Sequence, residues 1–352
     1  MSDRHDVAPR HTFHALRVVD IVDETPDTRT LTFDVPAEIA DLYRYTAGQF
    51  CAVRGTIDGQ TVSRCYSMSS APAVDERLAL TVKRVPGGVM SNWLHDHVAV
   101  GDELDLMPPS GLFCEQPGET PILAFSGGSG VTPVFSIVKQ VLATAERRVR
   151  VLDANRDHDS VIFRHELDRL TATHPDRLAV RHHLDADAGF LTADDIAEFV
   201  GDDTDAHVFV CGPAPFMDLV EEGLIRAGIP CEHIAIERFV NAAVLDEPTP
   251  DPSGTDADEA TEQLTIVFKR KRHRAGYVAG DTVLETARRA GLRPPFSCEQ
   301  GNCATCMALV TEGAVSMRTN NVLTDDEVAE GWVLTCQGLP VGPAVTVEYE
   351  DL

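Results

Sequence analysis

A chain of 352 residues exceeds one typical domain, and two or three is the expectation. Its net charge of −26, from 30 Lys and Arg against 56 Asp and Glu, argues against nucleic acid or an anionic membrane as partner. No stretch approaches the roughly 20 apolar residues of a membrane span, and the residues after Met1 are polar rather than leader-like. Nine cysteines with no pairing pattern fit a reducing compartment, so a cytoplasmic protein is expected.

Residues 11–113 read as strands. Alternating or short apolar runs recur at His14–Val22, Thr28–Val35, Gln49–Arg54, Thr61–Met68, Leu78–Arg84 and Glu103–Met107, with turn signals such as Asp58-Gly59 between them. Short strands at this spacing predict a closed antiparallel β-barrel, interrupted by one helix, Val89–Val98, after Gly87-Gly88. From Thr120 the pattern becomes strand, turn, helix. Pro121–Phe125, the turn Ser126–Gly130 and the helix Val131–Ala145 open it, and Arg148–Asp153, Leu178–Leu184, His207–Cys211 and His233–Arg238 supply further strands. Helices at Val161–Leu170, Ala193–Val200 and Ala214–Ala227 lie between them, which predicts an α/β doubly wound parallel sheet. Residues 241–263 carry three prolines and seven acids with no basic residue, and read as a self-repelling linker. The remainder reads as strand, strand, the helix Val283–Ala290, a cysteine loop, two strands, a short helix and a last strand, Ala344–Tyr349. The predicted divisions are therefore 11–115, 116–240, the linker 241–263, and 264–352.

The cysteine loop carries the sharpest signal. Cys298, Cys303 and Cys306 stand at C-x4-C-x2-C spacing, with Cys336 downstream, the pattern of a plant-type [2Fe–2S] centre. Two irons need four thiolates, three from one tight loop and one from a distant segment. Small residues such as Gly301, Ala304 and Thr305 leave backbone N–H groups free to face sulfur. A structural zinc site is the alternative, but the x4 gap fits its paired C-x2-C knuckles poorly.

Two further motif groups point to cofactors. Arg64-Cys65-Tyr66-Ser67 ends a strand: an Arg to neutralise phosphate, a Tyr to lie against a flavin ring, a Ser hydroxyl for the ring's reactive nitrogen. Val82-Lys83 follows on a later strand, and Gly88, Met90 and Ser91 sit where a glycine turn feeds a helix N-terminus suited to a pyrophosphate. In the second domain, Gly128 and Thr132 lie in a Gly-rich turn after the first strand, and Cys211-Gly212 end a later one. Doubly wound sheets bind nucleotides at such strand ends. Arg156 and Asp157 argue in opposite directions between NADPH and NADH, with NADH favoured. His95, His97, His182 and His183 lack a third metal ligand and are expected to be exposed. The basic run Lys269–Arg274 reads as a solvated hairpin turn, or else as a docking patch for an acidic partner.

In chain order, R-C-Y-S, G-G-V-M-S-N-W-L, S-G-G-S-G-V-T-P, A-N-R-D, V-C-G-P and C-E-Q-G-N-C-A-T-C resemble the ferredoxin–NAD(P) reductase superfamily, in the form with a C-terminal plant-type ferredoxin, over residues 12–352. The nearest resemblance is to reductase components of bacterial oxygenases, the 3-ketosteroid 9α-hydroxylase type above all. It implies three folds: an antiparallel β-barrel for FAD (FMN is less favoured), an α/β domain for NAD(P)H, and a β-grasp [2Fe-2S] ferredoxin. It implies electron flow from NADH through FAD and the cluster to a partner oxygenase of Rieske type. A desaturase, epoxidase or cytochrome monooxygenase partner is the alternative, and a redox sensor without turnover is the rival of another class. Carried onto this sequence, Arg64, Cys65, Tyr66, Ser67, Val82, Lys83, Gly88, Met90 and Ser91 serve the flavin, while Gly128, Thr132, Cys211 and Gly212 border the nicotinamide nucleotide. Glu237 and Phe239, in I-E-R-F, match an element that approaches the flavin, which makes Ser67, Cys211 and Glu237 the expected catalytic set. The position after Cys303 is commonly Gly in such ferredoxins and is Ala304 here.

Overall fold

In the computed structural model, residues 11–115, 117–238 and 262–349 are described. Phe239 and nearly all of the expected linker 241–263 lie outside them. Contacts sort the chain into two compact units, His14–Cys51 with Tyr66–Phe239, and Met1–Phe13 and Ala52–Cys65 with Val240–Leu352.

The first sheet has six strands, β1 (His14–Thr25), β2 (Thr28–Asp34), β3 (Phe50–Ile57), β4 (Gln60–Ser67), β5 (Leu78–Lys83) and β6 (Glu103–Leu106), in the order β4-β3-β6-β1-β2-β5. β1 outruns its expected end because its hairpin with β2 keeps pairing through Asp23 with Arg29 and Thr25 with Thr28. Just beyond β4, Met68 bridges to Leu80 of β5, which joins the two edge strands and closes the sheet into the expected barrel. Leu16, Val18, Leu31, Phe33 and Leu80 alternate inward and are fully buried. Helix α1 (Val89–His97) starts at Gly88 with no side-chain cap.

The second sheet is parallel, with strands β7 (Ile122–Gly127), β8 (Val149–Asn155), β9 (Leu178–Leu184), β10 (His207–Gly212) and β11 (Ile234–Arg238) in the order β11-β10-β7-β8-β9. Helices α2 (Val131–Thr144), α3 (Arg164–Thr173), α4 (Asp185–Ala188), α5 (Ala193–Val200) and α6 (Ala214–Arg226) accompany it. One apolar core gathers α2 and α3 with the sheet, another gathers α5 and α6. That is the doubly wound arrangement the alternation predicted. Ser126 and Gly127, expected in the turn, belong to β7, where they pair with Asp153 and Ala154 of β8.

The third sheet comprises β12 (Glu262–Phe268), β13 (Lys271–Tyr277), β14 (Met307–Met317), β15 (Trp332–Leu334) and β16 (Gly338–Glu348), ordered β13-β12-β16-β14-β15. Helix α7 (Val283–Arg289) packs into its core beside Leu264, Ile266 and Val347, and α8 (Asp325–Ala329) is short. The two strands expected before α8 are one strand, β14, whose register slips on either side of Glu312. Gly313 permits the irregularity. Its φ is +80°, and a β-carbon there would lie 2.4 Å from the Ala344 carbonyl oxygen, so the chain bulges without breaking.

Candidate active site and cluster loop

Three residues expected to act together meet in the first unit. Parallel register sets Cys211 of β10 opposite Glu237 of β11 and beside Ser126 of β7. The Ser67 hydroxyl, at the end of β4, donates to Glu237 Oε2 at 3.0 Å. All three side chains are buried. Burial pushes the Glu237 carboxyl up to about 8, and the hydrogen bond from Ser67 offsets only part of that shift. Burial first, and the Glu237 charge second, hold the Cys211 thiol well above its usual range. At neutral pH this pocket therefore contains a proton-bearing carboxyl and an un-ionised thiol. Cys114, not singled out from sequence, lies close enough for Glu237 to act on it: burial, then that carboxylate, push its thiol up to about 11.

The glycines around Cys211 are required by contact. A β-carbon at Gly130 would lie 2.0 Å from the Cys211 carbonyl oxygen, and one at Gly212 would lie 2.7 Å from the Phe216 ring. The turn between β7 and α2 is thus clamped onto the end of β10, while Gly128 takes a left-handed φ of +54° with open space beside it. Thr132 Oγ1 donates to the Ser129 carbonyl at 2.9 Å, which ties the first turn of α2 to the loop. Backbone N–H groups at this uncapped helix start suit a phosphate.

Around the expected flavin site, Val82, Met90 and Ser91 are buried. A β-carbon at Gly88 would lie 2.9 Å from Val85 Cβ and 2.8 Å from Ser91 Oγ, so a side chain there would force the turn to shift. Ser91 Oγ accepts from the Val85 amide at 3.1 Å and shapes the turn entering α1. The uncapped start of α1 fits a pyrophosphate, and Tyr66 remains partly exposed. Two cations have other partners. Lys83 Nζ lies 3.3 Å from Asp27, and the Arg64 guanidinium stands over the Phe296 ring at 5.6 Å.

At the end of β8, Asp157 is committed locally, its Oδ1 accepting from the Ser160 amide at 3.0 Å. Arg156 reaches Asp27 at 3.8 Å. Sequence reading missed the neighbouring Asp153. This fully buried carboxylate accepts from Ser126 Oγ at 2.6 Å and Asn155 Nδ2 at 2.7 Å, with His182 Nδ1 at 3.3 Å. An acidic residue directly after the apolar run Val151-Leu152 was its only sequence signal. The histidines expected on the surface divide. His97 is exposed, but His95 is buried with Nε2 2.8 Å from the Val82 carbonyl, and His183 is buried with Nε2 2.9 Å from the Gly189 carbonyl. The His95 ring thereby satisfies the carbonyl of buried Val82. Lys269 and Arg270 form the β12–β13 turn, exposed as expected, at φ of 50° and 59°.

In the second unit the cysteine loop brings four sulfurs into two pairs. Cys298 and Cys303 raise and lower one another's thiol affinity for a proton, and Cys306 and Cys336 do the same, so each pair of sulfurs lies close together. A two-iron cluster takes two thiolates on each iron, and such pairs suit it. The amides of Gln300 and Asn302 each point at Cys298 Sγ from 3.4 Å, and Gln337 Nε2 lies 3.8 Å from Cys336 Sγ. Such donors suit sulfur that carries negative charge. The residues fit a [2Fe-2S] group better than zinc. Ala304 sits at φ +54°, the left-handed region that explains why Gly is common at that position.

Comparison with known proteins agrees on all three parts. A family model described as an oxidoreductase FAD-binding domain matches residues 15–114. An oxidoreductase NAD-binding domain matches 125–222, and a 2Fe-2S iron-sulfur cluster binding domain matches 268–341. The chain is 39% identical over 346 residues to the ferredoxin reductase component of 3-ketosteroid-9-alpha-monooxygenase from Mycolicibacterium smegmatis, covering 96% of this chain and 97% of that one. It is 32% identical over 355 residues to a component of 1,2-phenylacetyl-CoA epoxidase from Escherichia coli, covering 96% and 98%. Among solved structures, phthalate dioxygenase reductase shares the fold at a TM-score of 0.61 and 23% identity, over 97% of this chain and 100% of that one. FAD, a nicotinamide nucleotide and a [2Fe-2S] cluster are thus the groups this chain is built to hold.

Proposed function

Since the chain belongs to the family of ferredoxin-reductase components of oxygenases, we propose that its three domains, at 11–115, 116–240 and 264–352, carry electrons from NADH to FAD, to the [2Fe-2S] cluster and on to a terminal oxygenase acting on a steroid or aromatic substrate. When bound, the flavin accepts a hydride's two electrons together and releases them singly, which matches a nicotinamide donor to a one-electron cluster. The protein's residues do the rest. Ser67 and Glu237 fix the edge of the flavin pocket, with the Glu237 carboxyl holding a proton at neutral pH. Cys211 and Gly130 set the floor on which a nicotinamide ring rests, and Gly128 and Thr132 offer backbone groups to its phosphates. Arg64, Cys65, Tyr66, Val82, Lys83, Gly88, Met90 and Ser91 enclose the flavin, Lys83 and Arg64 exchanging their present partners for phosphate as it binds. Cys298, Cys303, Cys306 and Cys336 hold the irons in two pairs.

The observation that carries this reading is the hydrogen bond between Ser67 and Glu237, 170 residues apart. It brings the flavin motif to the strand beside Cys211, so hydride donor and acceptor have one meeting place. A partner of the steroid-hydroxylase type follows from the 39% relative, and the epoxidase relative at 32% supports the alternative. No described helix is long and apolar enough to cross a membrane. Nine unpaired cysteines support a cytoplasmic location.

The test is an anaerobic NADH titration of the purified protein, followed by visible absorption. Both the flavin bands and the broad iron–sulfur absorption should bleach. Replacing Cys303→Ser should remove cluster absorption and transfer to a one-electron protein acceptor, yet leave NADH-driven reduction of a dye that accepts from flavin. Loss of dye reduction in a folded, flavin-loaded Cys303→Ser protein would show that the division of labour is wrong.

A further inference from the structure

Register lines up one residue from each strand of the parallel sheet. Glu237 of β11 pairs with Cys211 of β10, Cys211 with Ser126 of β7, Ser126 with Asp153 of β8, and Asp153 with His182 of β9. Residues in register face the same side of a sheet, so these five form one polar row across it. The row lies towards the carboxyl ends of the strands, where a doubly wound sheet binds its nucleotide. Behind it on the same face stand apolar side chains, Ile122 and Ala124 on β7 and Val149 and Val151 on β8.

Glu237 and Cys211 make up the nicotinamide end of the row. Asp153, fully buried, organises the other end. Its Oδ1 accepts from Ser126 Oγ at 2.6 Å. Its Oδ2 accepts from Asn155 Nδ2 at 2.7 Å, and His182 Nδ1 faces the same oxygen at 3.3 Å. Beside a carboxylate oxygen, Nδ1 is the donor. His182 Nε2 is then left buried without a partner among the described residues. Stability does not explain this arrangement. A third apolar residue after Val149 and Val151 would extend the core, whereas a buried carboxylate and an unmatched ring nitrogen both cost stability.

The carboxylate joins the two strand ends that a nucleotide must touch. Ser126 leads into Gly127 and Gly128, the turn whose backbone suits a phosphate, and Asn155 leads into Arg156 and Asp157, where the adenosine ribose is read. We propose that Asp153 is a positioning residue for the nicotinamide nucleotide, its carboxylate tying the end of β7 to the end of β8 so that both turns are set before the nucleotide arrives. The proposal rests on the second domain binding that nucleotide. A site held ready in this way spends less of its binding free energy on ordering.

The test uses the full chain loaded with FAD and cluster. The dissociation constant of NAD+ is measured by calorimetry, and kcat and KM for NADH by reduction of a dye that accepts from flavin. Asp153→Asn sets an N–H where Asn155 and His182 need an acceptor. It should weaken NAD+ binding about tenfold and raise KM alike, with kcat at saturating NADH changed less than about twofold. Ser126→Ala removes one of the three donors and should weaken binding about threefold. Asn155→Asp alone puts two carboxylates side by side and should also weaken binding. Joined with Asp153→Asn it exchanges donor and acceptor, and should return most of the affinity, a rescue that general loosening of the sheet would not show. Asp203→Asn is the control. It disturbs a carboxylate that accepts from Arg148 at 3.1 Å and Arg150 at 2.9 Å at the opposite end of β8, and should leave NAD+ affinity as in wild type. Should Asp153→Asn fail to fold, Ser126→Ala decides. Unchanged NAD+ affinity in Asp153→Asn or Ser126→Ala, a double variant no better than Asp153→Asn, or an equal loss in Asp203→Asn would overturn the proposal. Wild type without measurable NAD+ binding would instead remove the nucleotide reading beneath it.

Discussion

Replacing Glu237→Gln removes an ionisable group from a buried site while keeping its shape and its acceptor for Ser67. Burial raises the folded-state pKa from 4.5 to about 8. Between those values the folded chain retains a proton that the unfolded chain releases, so stability must fall as pH rises through the window and level off above about 8. Three and a half pH units at about 1.4 kcal/mol each set a ceiling of about 5 kcal/mol for the loss. Gln carries no such dependence. The thermal midpoint of the flavin-loaded protein, measured from pH 5.5 to 9 for both forms, should show the difference. The two profiles should lie close at the acid end and separate steadily towards pH 8, with Gln the more stable. Parallel profiles across the range would refute the premise that Glu237 is protonated in the folded state at neutral pH. In the same variant, flavin reduction by NADH at pH 7 should change little on binding grounds, so any large loss of rate would assign the Glu237 proton a part in the chemistry.

Two further outcomes follow from backbone geometry. Gly130→Ala would place a β-carbon 2.0 Å from the Cys211 carbonyl oxygen, a backbone atom that cannot swing aside. The variant should lose several degrees of thermal midpoint and most of its NADH affinity, and an unchanged dissociation constant would show that the turn is not clamped on β10. Ala304→Gly relieves a left-handed Ala at φ +54°, worth roughly 1–2 kcal/mol, against a smaller gain in unfolded-chain entropy. It should slow cluster loss on heating, followed as decay of visible absorption, and faster loss would contradict the reading.

Local regularities were legible in the chain, because strand alternation, helix periodicity and cysteine spacing act between residues close in sequence. The cysteine loop shows this best, three of its four sulfurs falling within one turn-rich segment, from Cys298 to Cys306. The order of motifs likewise gave away the barrel, the doubly wound sheet and the ferredoxin, since each element needs only its own neighbours to declare its type. Gly313 marks where that logic stopped. A glycine inside a strand looks like an end, yet the pairing of β14 with β16 carries the strand through a bulge.

What tertiary structure alone decided is which distant polar groups meet out of water. Ser67 finds Glu237, Cys65 finds Ser297 232 residues away, and Asp153 collects Ser126, Asn155 and His182. His95 and His183, exposed by expectation, turn inward, each ring meeting a backbone carbonyl, of Val82 and Gly189. The spacing of residues sets which groups a chain can offer. Burial sets what they become, since a carboxyl or thiol removed from water changes its charge state only where the folded chain has left it no solvent.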